Sequence, residues 1–297
     1  MKKLMKILNG PVAFVSIYAA SAALMLVLAA QVAGCSTLEN LTGKDKSPPS
    51  LTDGITDAWY GRVNCWAEDL KTIDSDIKAC AKNGVTGYMI ELLSWGRYSA
   101  SAEKMAKTEE AYKRLLQGCR KNGMWLFVSI ANDNSGQGKY GDTGPHLDGQ
   151  KALLDWGLRL VLASGPKNVI VQPVAETQTS FGKSWNTAAG KALKQAGFAT
   201  VNNSDGGHPK SKPSWADFNA QHPCDRNIVV VNDLCVSDCG TIIRQLMGGY
   251  DTKAIPEYTK NWAARQKGKS PVAGFYAFKY LGPTDTAGIK AMGEGVK

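Results

Sequence analysis

Short apolar runs recur along this chain, and most are separated by stretches long enough for a helix. The runs are DAWYGRVNC (57–65), VTGYMIEL (85–92), MWLFVSIAN (124–132), NVIVQPVAE (168–176), GFATVNN (197–203), SWADFNAQ (214–221), NIVVVND (227–233) and PVAGFYAFKY (271–280). Between them lie amphipathic segments. In AEDLKTIDSDIKACAKNG (67–84), Leu70, Ile73, Ile77 and Cys80 share one face and Gly84 stops the pattern. Further helical patterns cover 101–123, 148–164, 180–197, 239–247 and 255–267, and a short one closes the chain at 285–292. The joints KNGVTGY, KNGMWLF and QAGFATV repeat one punctuation, a glycine C-cap followed at once by a strand. Parallel strands need crossover helices, so eight strands alternating with helices predict an α/β fold, a single-domain (β/α)8 barrel over residues 55–297. Strands five to seven have little helix between them, which keeps an open doubly wound sheet as the alternative.

The front of the chain reads differently. MKKLMK is followed by the apolar run PVAFVSIYAASAALMLVLAAQVAG and then Cys35. A positive start, an apolar core and small residues before a cut describe a secretory signal over residues 1–34. VAGCS resembles the bacterial lipobox. That resemblance implies lipidation of Cys35 and a protein held at a membrane by its N-terminal lipid. The alternative is a transmembrane anchor, since the run is long enough to span. Both place the remainder outside the cytoplasm. Ser36 is not the aspartate that retains many such proteins at the inner membrane, so the outer membrane is the expected address, facing periplasm or exterior. Residues 35–54, rich in Ser, Thr, Lys and Pro, read as a flexible tether.

The formal charge is +9, and removing the leader's Lys2, Lys3 and Lys6 leaves +6. The lysines are scattered, with no dense basic block and no nucleic-acid motif, so a solvated basic surface is expected and nucleic acid is not. Six cysteines follow Cys35. Cys235 and Cys239 in LCVSDCG are close enough to pair, and at least one disulfide is expected. Zinc lacks a second ligand pair at suitable spacing. Buried thiols are the third reading, at positions such as Cys80 and Cys119. No metal, no organic cofactor and a monomer are expected.

Barrel enzymes work at the C-terminal ends of their strands. Here those ends carry Trp66, Glu91, Trp95, Asn132, Glu176, Asn202, His222, Asp233 and Tyr276. Carboxylates and amides hydrogen-bond hydroxyl groups, and aromatic faces stack on sugar rings. There is no phosphate cradle, no GxSxG elbow and no HExxH. Glu176 after strand four and Asp233 after strand seven resemble the carboxylate pair of the large clan of (β/α)8 glycoside hydrolases. By that resemblance Glu176 would be the acid/base and Asp233 the nucleophile. The clan has Asn before the first residue where this chain has Ala175, and Glu at the second where this chain has Asp233. Glu91 is a third catalytic candidate, and Trp66, Trp95, Asn132, Asn202, His222 and Tyr276 are candidates for binding substrate. Two readings follow: a lipid-anchored glycosidase using carboxylate acid/base chemistry, or a non-catalytic surface lipoprotein that binds glycan or shields a receptor.

Overall fold

The computed structural model describes residues 45–48, 58–62, 70–93, 101–133, 150–204, 211–221, 228–231, 274–279, 284 and 286–296. Its strands are β1 (Ala58–Arg62), β2 (Gly87–Leu93), β3 (Trp125–Asn132), β4 (Val169–Ala175), β5 (Ala199–Asn202), β6 (Phe218–Gln221), β7 (Ile228–Val231) and β8 (Gly274–Lys279). They close in sequence order into one barrel. The described helices are α1 (Leu70–Asn83), α2 (Ala102–Asn122), α3 (Lys151–Ala163), α4 (Ser180–Gln195) and α5 (Thr286–Val296). The fold is the TIM-type α/β barrel, and the open-sheet alternative is set aside by the pairing of β8 with β1.

One strand departs from the expected pattern. β1 to β6 run parallel, and β8 is parallel to β1. β7 runs antiparallel to both neighbours, with Val231 opposite Gly274 and Ala220. Its C-terminal residue therefore lies level with the start of β8, away from the end where Arg62 meets Lys279.

The helices form where the sequence provides caps. Ser101 accepts the Lys104 N–H at 3.3 Å to open α2, and Thr179 Oγ1 accepts the Gly182 N–H at 3.0 Å to open α4. The repeated joints place Gly84, Gly123 and Gly197 at positive φ (75°, 68° and 85°), a conformation glycine adopts without a Cβ penalty. Among the described residues no helix is long and apolar enough to cross a membrane.

Helices cover the outside of the sheet, so β2, β3 and β4 are buried on both faces and read as nearly continuous apolar runs. Outward residues Ile90, Val128 and Val171 join Tyr112, Leu115, Leu154, Trp185 and Leu193 in one large cluster. Inside the barrel, Met89, Phe127, Ile170, Val201 and Ala220 form a second cluster, one residue from each of β2 to β6. Trp215 does not extend β6. It is buried against Gly190 of α4, where an added Cβ would run into the indole ring. Cys80 and Cys119 are both buried, and neither forms a disulfide. Burial pushes the Cys119 thiol pKa well up. Cys235 and Cys239 lie outside the described residues.

Asp45–Pro48, expected within a tether, is held by the barrel. The Lys46 N–H donates to the Arg120 carbonyl at 2.9 Å, Asn168 Nδ2 donates to the Lys46 carbonyl at 3.1 Å, and Lys167 pairs with Asp45 at 3.0 Å. These contacts lie at the C-terminal end of α2 and the start of β4, the end of the barrel away from the strand C-termini.

Candidate active site at the strand ends

The upper part of β2 delivers Glu91 into a nearly closed environment, 6% exposed. Glu91 Oε1 accepts Asn132 Nδ2 at 3.5 Å, from the last residue of β3. Its Oε2 has no hydrogen-bond partner among the described residues. Burial first, and then the charge of Glu176, raise its pKa to about 8, against the smaller opposing effect of the Asn132 hydrogen bond. Burial thus favours the protonated form of Glu91, with Glu176 as the neighbouring carboxyl.

Glu176 follows β4 directly and is half-buried. Its backbone is left-handed, at φ 51°, where a side chain costs about 1–2 kcal/mol. The neighbouring strand holds it there. Glu176 N–H donates to Asn203 Oδ1 at 2.6 Å, Thr177 N–H donates to the Asn203 carbonyl at 3.1 Å, and Asn203 Nδ2 donates to the Ala220 carbonyl at 2.9 Å. Asn203 is fully buried and ties the ends of β4, β5 and β6 together.

The acid next along the rim has a different task. Asp133 Oδ2 accepts the Gln178 and Thr179 N–H groups, each at 2.7 Å, and its carboxylate also takes the Thr179 hydroxyl at 2.9 Å. It thus fixes the turn between Glu176 and α4, and the positive end of that helix favours its charge. The approach is so close that a Cβ at Gly182 would collide with the Asp133 carboxylate.

The structure brings Glu91, Glu176 and Asn132 together at one place. Asn202 is 3% exposed, and its amide is engaged within the scaffold. It donates to Asn219 Oδ1 at 3.0 Å and Ser204 Oγ at 3.3 Å, and accepts from Asn186 Nδ2 at 3.5 Å. Tyr276 lies in β8, its backbone paired with Trp59 and Val229. Cys35, Trp66, Trp95, His222 and Asp233 lie outside the described residues. β7 ends at Val231, opposite Ala220 of β6, and the expected partner Asp233 lies beyond it, outside the described residues. Among the described residues the carboxyl facing Glu176 comes from β2. No group of three or more His, Cys, Asp or Glu that could hold a metal occurs among the described residues.

Gln172 does not stand out as a site residue in the sequence, and Asn203 stands out only as one of the amides at the end of strand five. The signal for Gln172 was present, a lone amide inside the apolar run VIVQPVA. Asn203 carried none beyond its place at a strand end.

No protein-family model matches the chain, and no curated protein matches it. Solved structures do. One described as a glycoside hydrolase matches with a TM-score of 0.42 at 11% identity, over 62% of this chain and 47% of that one. A family 5 glycoside hydrolase from Bacteroides vulgatus matches with a TM-score of 0.42 at 9% identity, over 57% and 41%. The endo-1,4-beta-mannanase of Rhizomucor miehei matches with a TM-score of 0.35 at 9% identity, over 84% and 81%. The chain spans less than half the length of the first two. The likeness is a loose one to glycoside hydrolase barrels, and the chemistry has to be argued from the site itself.

Proposed function

We propose that this chain is a cell-envelope lipoprotein whose barrel hydrolyses a glycan by carboxylate acid/base chemistry. The observation that carries the reading is the buried Glu91 carboxyl at the strand ends, held by Asn132 on one oxygen and beside Glu176. Two carboxyl groups in unlike environments are what glycoside hydrolysis requires. Glu91 gives its proton to the glycosidic oxygen as the C–O bond breaks, so the leaving sugar departs as a neutral alcohol. Glu176 either attacks the anomeric carbon or takes a proton from the attacking water. A carboxyl separation of about 5–5.5 Å suits the first course and about 6.5–9.5 Å the second. Asn132, on Glu91 Oε1, orients the acid. This assignment departs from the clan resemblance, which makes the strand-four residue the acid/base and takes its partner from strand seven.

The lipid reading rests on VAGC and the leader ahead of it. With Cys35 acylated, the protein would sit on the outer membrane, with glycan as its partner. The reversed β7 and Ala175 in place of the clan's Asn favour a second reading, a barrel that binds glycan without cutting it.

Hydrolysis of a polysaccharide and peptidoglycan panel by the full chain, beside Glu91→Gln and Glu176→Gln, tests the assignment. Activity that collapses in both variants supports it. A folded protein that cleaves nothing, yet binds a member of the panel, favours the second reading. Acyl labelling of the wild-type chain and of Cys35→Ala in a bacterial host tests the anchor.

A further inference from the structure

Level with Glu91, three strands place a polar layer inside the barrel. Met89, Phe127 and Ile170 lie in register across β2, β3 and β4 and belong to the interior apolar cluster. Two residues further along each strand, on the same face, the register aligns Glu91 with Ser129 and Ser129 with Gln172. All three are buried, Glu91 at 6%, Ser129 at 0% and Gln172 at 1% exposure. The layer is only partly satisfied. Gln172 Nε2 donates to Ser129 Oγ at 3.3 Å, and Ser129 Oγ donates to the Ala131 carbonyl at 3.1 Å. Glu91 Oε2 and Gln172 Oε1 both lack a partner among the described residues. Two orphaned oxygens in one buried layer are costly, on the order of 1–3 kcal/mol each, unless something unseen joins them.

We propose that the Glu91–Ser129–Gln172 layer is a binding slot for one hydroxyl oxygen, which bridges Glu91 Oε2 and Gln172 Oε1. The chemistry selects the occupant. A protonated Glu91 Oε2 offers a donor, while Gln172 Oε1 can only accept. A hydroxyl accepts from the first and donates to the second, which an ammonium or a carbonyl cannot do. Water and a sugar hydroxyl both qualify. The slot goes beyond the hydrolytic reading, since a barrel that only binds glycan would fill it in the same way.

A high-resolution crystal structure of the full chain near neutral pH tests this, first without sugar and then soaked with cellotriose or the N-acetylglucosamine trimer. One ordered oxygen within about 2.5–3.2 Å of both Glu91 Oε2 and Gln172 Oε1 is expected. If it stays a lone peak in the soaked crystals, the occupant is water. If a sugar hydroxyl stands in its place, the slot reads substrate. A crystal of Gln172→Met, close in volume and lacking the acceptor, should lose the oxygen. The proposal is overturned if neither wild-type crystal holds an oxygen touching both groups, or if the two groups are satisfied by protein atoms instead. Neither result depends on cleavage, so failure here is separable from failure of the hydrolytic reading.

Discussion

Asn203 holds Glu176 by its backbone, accepting the Glu176 N–H at 2.6 Å while donating to Ala220 of the next strand at 2.9 Å. A residue at φ 51° keeps that conformation only where its surroundings impose it. Asn203→Ala removes both bonds and strands two backbone groups, at a cost of about 1–3 kcal/mol for each buried one. The melting temperature should fall, and hydrolysis should fall by more than the loss of folded protein explains. Asn203→Asp keeps an acceptor for the Glu176 N–H and should retain more activity than Asn203→Ala. Thermal melts beside kcat/KM for the two variants check this, and equal losses in both would remove Asn203 from the positioning of Glu176.

The buried acid makes stability depend on pH with a definite sign. Glu91 has a folded pKa near 8 against an unfolded value of 4.5. Below the unfolded value both states hold the proton and Glu91 imposes no penalty. Between the two values the unfolded state sheds its proton and the folded state keeps it, so stability falls as pH rises and the loss levels off above 8. The effect is on the order of a few kcal/mol. Glu91→Gln, neutral at every pH, should flatten this slope and raise stability at neutral pH while abolishing proton donation. Urea unfolding across the acid-to-neutral range reads the slope, and an unchanged slope in Glu91→Gln would contradict the protonated assignment.

Asp133 caps the turn into α4, accepting the Gln178 and Thr179 N–H groups. Asp133→Ala leaves the Gln178 and Thr179 N–H groups without their acceptor and should destabilise the protein by about 1–3 kcal/mol. Gly182→Ala should act in the same direction, because its methyl meets the Asp133 carboxylate. In both variants, activity per folded molecule at low temperature should stay near that of the parent. A collapse of activity in folded Asp133→Asn would show that this acid acts on substrate.

Cys80 and Cys119 are each 0% exposed, and the raised thiol pKa of Cys119 keeps it from ionising. Reactivity follows the thiolate. Peptide mapping after alkylation of the native protein should leave both unmodified, and alkylation in denaturant should label both. Rapid native labelling of Cys119 would contradict its burial in the helix–sheet core.

What the sequence made readable follows from how the signals arise. β2, β3 and β4, with α1, α2 and α4, were legible because apolar runs alternate with amphipathic segments and close on glycine caps such as Gly84 and Gly123. β6 came out shorter than SWADFNAQ, because Trp215 spends its surface on Gly190 of α4 and leaves the strand to Phe218–Gln221. The direction of β7 was written in the spacing but overridden by the pattern. Residues 222–227 are too few for the dozen or more that a parallel crossover needs, whereas an antiparallel return needs very few. Glu91 and Glu176 stood out as strand-end acids. Their difference in environment did not, since it depends on which neighbour shields Glu91 and how Asn203 bends the chain at Glu176, and neither is local in sequence.

The seat of Asp45–Pro48 also decides where force enters the molecule. The chain joins the barrel through Lys46, which is bonded to Arg120 at the end of α2 and to Asn168 at the foot of β4. Tension on the preceding residues would load the Asp45–Lys167 ion pair and then those anchors, and the pull would have to peel Lys46 from Asn168 before it reached β1. Glu91 and Glu176 lie at the other end of β2 and β4 and stand outside that load path, so drag on the chain ahead of Asp45 would leave the spacing of the two carboxyl groups undisturbed.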